Sequence, residues 1–172
     1  FETAREFAVG AQPRQLLAGD FNGDGFADLV TANSGSGNAS LLPGLGNGNF
    51  SAARHYSTGG NATALARGDF NGDQRPDIIV YARDSVGGIR FVHFALLLNG
   101  LTGFAAAPEL LLDYLPRWGV AGDFNNDGRT DVALTGGIGP GTNVIRTLPG
   151  NAAGGFDAPV VTNANVVYTL VE

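Results

Sequence analysis

Gly19-Asp-Phe-Asn-Gly-Asp-Gly-Phe-Ala-Asp28 returns as Gly68-Asp-Phe-Asn-Gly-Asp-Gln-Arg-Pro-Asp77 and again as Gly122-Asp-Phe-Asn-Asn-Asp-Gly-Arg-Thr-Asp131. The leading aspartates, Asp20, Asp69 and Asp123, stand 49 and 54 residues apart. A phenylalanine precedes each of them by 19 residues, at Phe1, Phe50 and Phe104. Phe156 continues the series and projects its aspartate past the last residue, so the chain is expected to stop in mid-repeat. Self-similarity at a period of this length marks a repeat architecture.

Short apolar runs flank each Asp-rich element. Leu16–Ala18, Leu65–Ala66 and Val120–Ala121 come before it, and Leu29–Thr31, Ile78–Tyr81 and Val132–Leu134 come after. A third run follows at Ala39–Leu42, Phe91–Leu98 and Val144–Leu148. Gly/Asn-rich turns at 44–49, 99–103 and 150–155 then lead into the repeated Phe, which opens a fourth segment. Four short strands in each unit of roughly 50 residues, joined by hairpin turns, is the profile of a β-propeller blade. Parallel β-helices have much shorter periods, and helical repeats need a 3.6-residue periodicity that is not found here.

The element itself reads D-x-N-x-D-G-x-x-D, with acidic or amide side chains at positions 1, 3, 5 and 9. Alternate positions of a tightly curled backbone send oxygens to one side, an arrangement suited to a hard cation that takes six to eight of them. Position 7 adds a backbone carbonyl, from Phe26, Arg75 or Arg129, and glycine at position 6 (Gly25, Gly128) permits the sharp turn. Three carboxylates held ~5 Å apart at an effective dielectric of ~20 repel by roughly 3 kcal/mol per pair unless a cation lies between them. Calcium suits an all-oxygen, flexible set better than magnesium does. Three Ca²⁺ ions, one per loop, would offset the formal charge of −6. EF-hand-type loops carry an acid at position 12, where this chain has Thr31, Val80 and Leu134 inside apolar strands. A plain turn former explains one DxNxDG but not three in register, each with a fourth polar group at position 9. Gln74 replaces glycine at position 6 of the second loop, where a positive φ would strain it and weaken that site.

Composition narrows the function. The chain has 172 residues, 44% of them apolar, with 27 glycines, a pI of about 4.7 and no basic patch that would suit nucleic acid. Its apolar runs, such as 91–98, are too short to insert through a bilayer. There is no cysteine for a disulfide framework or thiol catalysis, and the absence of methionine suggests a chain that starts inside a longer gene product.

These features together resemble the FG-GAP/VCBS repeat family, the blades of integrin α-subunit propellers and of many bacterial secreted proteins. The resemblance rests on the Gly-Asp-Phe-Asn loops, on Phe104-Ala-Ala-Ala-Pro108 and Phe156-Asp-Ala-Pro159, and on Leu42-Pro-Gly-Leu-Gly-Asn-Gly-Asn-Phe50. It implies a calcium loop between the first two strands of each blade. The implied ligands are Asp20, Asn22, Asp24, Phe26 and Asp28; Asp69, Asn71, Asp73, Arg75 and Asp77; and Asp123, Asn125, Asp127, Arg129 and Asp131, with position 7 acting through its carbonyl. Such families close a ring of about seven four-stranded antiparallel blades. With the Phe-led segment outermost, blades are expected over about 14–57, 62–112 and 116–162, with an orphan outer strand at 1–9 and an orphan inner strand at 165–171. The remaining blades would come from the same gene product or from other copies of the chain.

The expected function is a calcium-stabilised extracellular or cell-surface module, used for binding, adhesion or scaffolding with protein or glycan partners. The alternatives are a lectin with sugar pockets between blades and a non-catalytic accessory propeller of a secreted hydrolase. No catalytic residues are expected. His55 and His93 lie in apolar strand contexts, and no nucleophile-elbow motif is present. Trp118 stands five residues before Asp123, where the other repeats carry Gln15 and Ala64, and reads as a core or channel-lining residue more than as a ligand platform. Partner contacts are expected on the face opposite the metal loops, where Arg83, Asp84, Tyr114 and Arg117 bring charge and an aromatic ring.

Overall fold

The computed structural model describes residues 3–86, 89–100, 103–107, 110–112, 115–137 and 144–163. No helix occurs among them, and the chain is all-β. The first sheet runs β1 (Pro13–Gly19), β2 (Asp28–Asn33), β3 (Asn38–Leu42) and β4 (Arg54–Ser57), in that order and antiparallel throughout. The second repeats the path with β5 (Asn61–Gly68), β6 (Asp77–Val86), β7 (Ile89–Gly100) and β8 (Gly103–Ala106). Its outer position is shared, because the two-residue β9 (Leu110–Leu111) also pairs with β7. The third uses β10 (Leu115–Gly122), β11 (Asp131–Gly137) and β12 (Val144–Leu148). A small hairpin of β13 (Gly150–Asn151) and β14 (Gly155–Phe156) then leads to its outer strand, β15 (Val160–Asn163).

The apolar runs in the sequence are explained by which faces are covered. In β6, Ile78 and Val80 enter a core shared with Phe21, Val30, Leu41 and Phe104, while Ile79 enters a second with Phe70, Val132, Leu134 and Leu148. The middle sheet is buried on both faces, so β6 reads as continuous apolar residues instead of alternating. The third sheet is different. Val120 and Val160 share one face through the pairings Val120–Ala133, Ala133–Thr147 and Thr147–Val160, and both are exposed, at 62% and 56%. Ile145 continues that face at 40%.

Residues 3–9, expected within an orphan outer strand, form no strand. Phe7 instead sets its ring edge-on to Phe50 at 5.1 Å, and the Gly10 amide donates to Ser40 Oγ, so this stretch lies against the first sheet. The expected inner strand at 165–171 lies outside the described residues.

Candidate metal-binding loops

Each Asp-rich element joins the first two strands of its sheet, and the three are built alike. In the first loop Asp20 Oδ1 accepts the Gly23 amide at 2.7 Å and Oδ2 the Gly25 amide at 2.9 Å. Asn22 Oδ1 accepts from Asp24 N, and Asp24 Oδ1 from Phe26 N. The second loop repeats this with Asp69 on Gly72 and Gln74, Asn71 on Asp73 and Asp73 on Arg75. The third does so with Asp123 on Asp127 and Gly128, Asn125 on Asp127 and Asp127 on Arg129. In every loop the position-3 Asn also donates from Nδ2 to Oδ2 of the position-5 Asp. The curl needs left-handed backbone at positions 4 and 6. Gly23, Gly25, Gly72 and Gly128 meet that need without strain, while Asn126 (φ 62°) and Gln74 (φ 66°) adopt it with side chains.

Position 9 behaves differently from the other three. Asp28, Asp77 and Asp131 are 0%, 0% and 1% exposed, at the first residue of β2, β6 and β11. One oxygen of each accepts an amide inside its own loop, from Phe21, Phe70 or Phe124. The other accepts an amide at the end of the third strand, from Gly44 (2.7 Å), Asn99 (2.7 Å) or Gly150 (2.9 Å). The carboxylate therefore latches the loop to the turn that leads to the outer strand. That turn comes close: a Cβ on Gly44 would collide with the Ala27 carbonyl, and one on Gly150 with that of Thr130. Leu-Pro-Gly at 42–44 and again at 148–150 is the sequence trace of this approach.

The side chains of Arg75 and Arg129 have a role that sequence reasoning did not assign them. Arg75 Nη2 meets Asp73 Oδ2 at 2.6 Å while its Nε donates to the Asn99 carbonyl. Arg129 does the same with Asp127 (2.7 Å) and the Gly150 carbonyl. The first loop has Phe26 at this position, 47% exposed and against Gly46. Loops two and three also touch, with Asp69 N donating to Thr130 Oγ1 and Thr130 N to the Asp69 carbonyl.

These contacts set the electrostatics. Burial pulls the Asp20 carboxyl up, but the amides of Gly25, Gly23, Asn22 and Asp24 outweigh it and hold the group below its ordinary value. The Arg129 amide is the largest influence on Asp127 and, with Asn125 and the Arg129 guanidinium, lowers it too. Asp77 goes the other way, to about 6: burial dominates, the Asn99 and Phe70 amides oppose it, and Asp73 and Asp69 add repulsion.

Positions 1, 3, 5 and 9 and the position-7 carbonyl offer oxygen alone, and that donor chemistry fits calcium. Among the described residues no three His, Cys, Asp or Glu side chains converge as a metal site. A cation here would thus depend on the Asn oxygen and the carbonyl as well as on the acids. The crowding of three carboxylates inferred from the sequence is eased where position 9 turns its oxygens to backbone amides, and it persists in the second loop as the repulsion of Asp77 by Asp73 and Asp69. Each position-9 oxygen keeps a second lone pair.

Elsewhere, His55 Nδ1 lies 2.9 Å from Ser40 Oγ. That hydroxyl is wholly buried and already accepts from Asn33 Nδ2 and the Gly10 amide, which suits a structural network and not a nucleophile. On the face opposite the loops, Arg83 lies over the Tyr81 ring at 5.3 Å. Tyr114 and the side chains of His93, Arg117 and Trp118 lie outside the described residues.

Residues 7–80, which include the first two loops, match the family model described as FG-GAP-like repeat, consistent with the FG-GAP/VCBS repeats that the sequence resembles. No curated protein matches the chain. Among solved structures, the V. cholerae biofilm matrix protein Bap1 aligns over 87% of this chain and 28% of its own, with 16% identity and a TM-score of 0.39. The chain thus spans under a third of the length of that protein.

Proposed function

We propose that this chain is a segment of a calcium-stiffened β-propeller, a non-catalytic binding or scaffold module that works outside the cytoplasm on protein or glycan partners. The observation that carries the reading is the threefold Asp loop, built with the same oxygen donors and closely similar amide contacts between the first two strands of each sheet. FG-GAP repeats are typical of extracellular proteins, which supports the location. The exposed apolar face of Val120, Ile145 and Val160 supports further blades, since a patch of this kind marks a surface that another element covers.

Calcium, when bound, supplies a divalent charge facing the position-1 and position-5 carboxylates. The residues that would hold it are Asp20, Asn22, Asp24 and Asp28 with the Phe26 carbonyl, and their counterparts in the other two loops. The chain's own part is to present those oxygens. The position-4 and position-6 residues curl the backbone, and the position-9 latch ties that curl to the outer turn. A loop held at both ends fixes the hairpin and so the stacking of one sheet on the next.

Calorimetric titration of calcium into chelator-treated protein tests this. Three sites are expected, and Asp20→Ala, Asp69→Ala and Asp123→Ala should each remove one. A stoichiometry of zero or one would sink the assignment.

A further inference from the structure

One repeat position, five residues before the leading aspartate, differs in every copy: Gln15, Ala64 and Trp118. Each follows a register shift in its strand, at Pro13/Gln15, Ala62/Ala64 and Pro116/Trp118, the kind of bulge that re-aims a side chain. Between the first and second sheets the position is filled. The Gln15 carboxamide crosses to β5, donating from Nε2 to the Leu65 carbonyl at 3.2 Å and accepting the Leu65 amide on Oε1 at 2.8 Å.

Among the described residues, the same place between the second and third sheets is open. The residue equivalent to Leu65 is Gly119, and the pairings Leu65–Val80 and Gly119–Leu134 are in the same register. Its partner by repeat would be Ala64, whose methyl can make neither bond. No described side chain bonds the Gly119 backbone. A Cβ there would meet first the tip of the Leu134 side chain, Cδ2 at 2.6 Å, so glycine at 119 leaves room beside Leu134 that a larger residue would take. The result is a cleft of about 350 Å³ lined by Ala64, Ile79, Tyr81, Arg83, Gly119 and Leu134, among others. That volume suits a small ligand group.

We propose that this cleft takes the glutamine side chain of an extended partner peptide, bound as Gln15 is bound one sheet earlier. The methylenes lie against Ile79 and Leu134, and the carboxamide donates to the Gly119 carbonyl and accepts the Gly119 amide. A glutamate side chain accepts but cannot donate, and a leucine does neither. Arg83, whose Nε donates to Tyr81 Oη at 3.3 Å, offers its remaining N–H groups to a peptide carbonyl. The proposal names a ligand for the binding-module reading and rests on it, but it uses no part of the calcium loops.

The test is an amide-resolved NMR titration of the whole chain in calcium with N-acetyl-glutamine-methylamide. Saturable shifts centred on Gly119 are expected, with the matching glutamate probe about tenfold weaker, the effect of one lost hydrogen bond, and the leucine probe, which loses both, weaker again. Ala64→Gln should supply the chain's own carboxamide and abolish probe binding. Equal response to the three probes, shifts centred elsewhere, or unchanged binding by Ala64→Gln would overturn the proposal. Saturation by N-acetylglucosamine without response to the glutamine probe would give the cleft to a glycan and overturn it equally. Loss of the probe response with calcium uptake intact refutes this site alone, whereas missing calcium sites refute the broader reading.

Discussion

Asp28→Asn separates two roles of the position-9 carboxylate, as a backbone latch and as a metal ligand. Asp28 is fully buried, with Oδ2 on the Phe21 amide at 2.9 Å and Oδ1 on the Gly44 amide at 2.7 Å. Asparagine is nearly the same shape but keeps one acceptor oxygen, so its NH₂ must face one of two N–H donors. One buried donor then goes unsatisfied, at about 1–3 kcal/mol, and the surviving bond loses its charge assistance, worth about 1 kcal/mol more. The sum is about 2–4 kcal/mol, a large share of the ~5–15 kcal/mol typical of a folded domain but not enough to abolish folding.

The assay is urea unfolding in excess chelator, where a ligand role contributes nothing. Asp28→Asn should lose about 2–4 kcal/mol there, with an unchanged m-value. Asp20→Asn serves as the control. Asp20 is only half-buried and its amide partners sit in an exposed loop where water can replace the lost acceptor, so its loss in chelator should stay below about 1 kcal/mol. If Asp28→Asn matches the unmutated protein in chelator and differs from it only in calcium, the latch is wrong and the residue acts through the metal alone.

Other expectations concern the differences between the loops. Gln74→Gly should stabilise the chain by about 1 kcal/mol in thermal melts, because glycine takes the φ of 66° without strain. In chelator, hydrogen exchange should be faster in residues 20–28 than in 69–77 or 123–131, because the guanidiniums of Arg75 and Arg129 pin Asp73 and Asp127; Arg129→Leu should speed exchange in the third loop. In calcium-free buffer Asp77 should add stability as pH falls. Its folded value of about 6 lies above the unbiased 3.8, so the folded state holds the proton more tightly between those values and the cost of ionisation, about 3 kcal/mol, is relieved across that window. Asp77→Asn should remove this gain, and a flat difference between the two proteins from pH 7 to pH 4 would contradict it.

What was legible in the sequence was whatever the repeat stated three times. The strands around each loop, the loops themselves and the positive φ at Gln74 all follow from residues that recur at fixed offsets. The role of Asp28, Asp77 and Asp131 was less legible, because the spacing shows a fourth polar group at position 9 but not which way it turns. That direction depends on an amide 16, 22 or 19 residues later, at Gly44, Asn99 or Gly150, across a hairpin whose length differs in each copy. The arginine clamps were hidden for a related reason. Position 7 was valued for its carbonyl, and Phe26 in the first copy hides the pattern that Arg75 and Arg129 share. The cleft at Gly119 was the reverse case: its signal is a departure from the repeat. Ala64 against Gly119 is unremarkable until Gln15 is seen bonded to Leu65 one sheet earlier. In a repeat protein, then, sameness reports the scaffold, and a copy that lacks what its neighbour uses is where a ligand can supply the missing group.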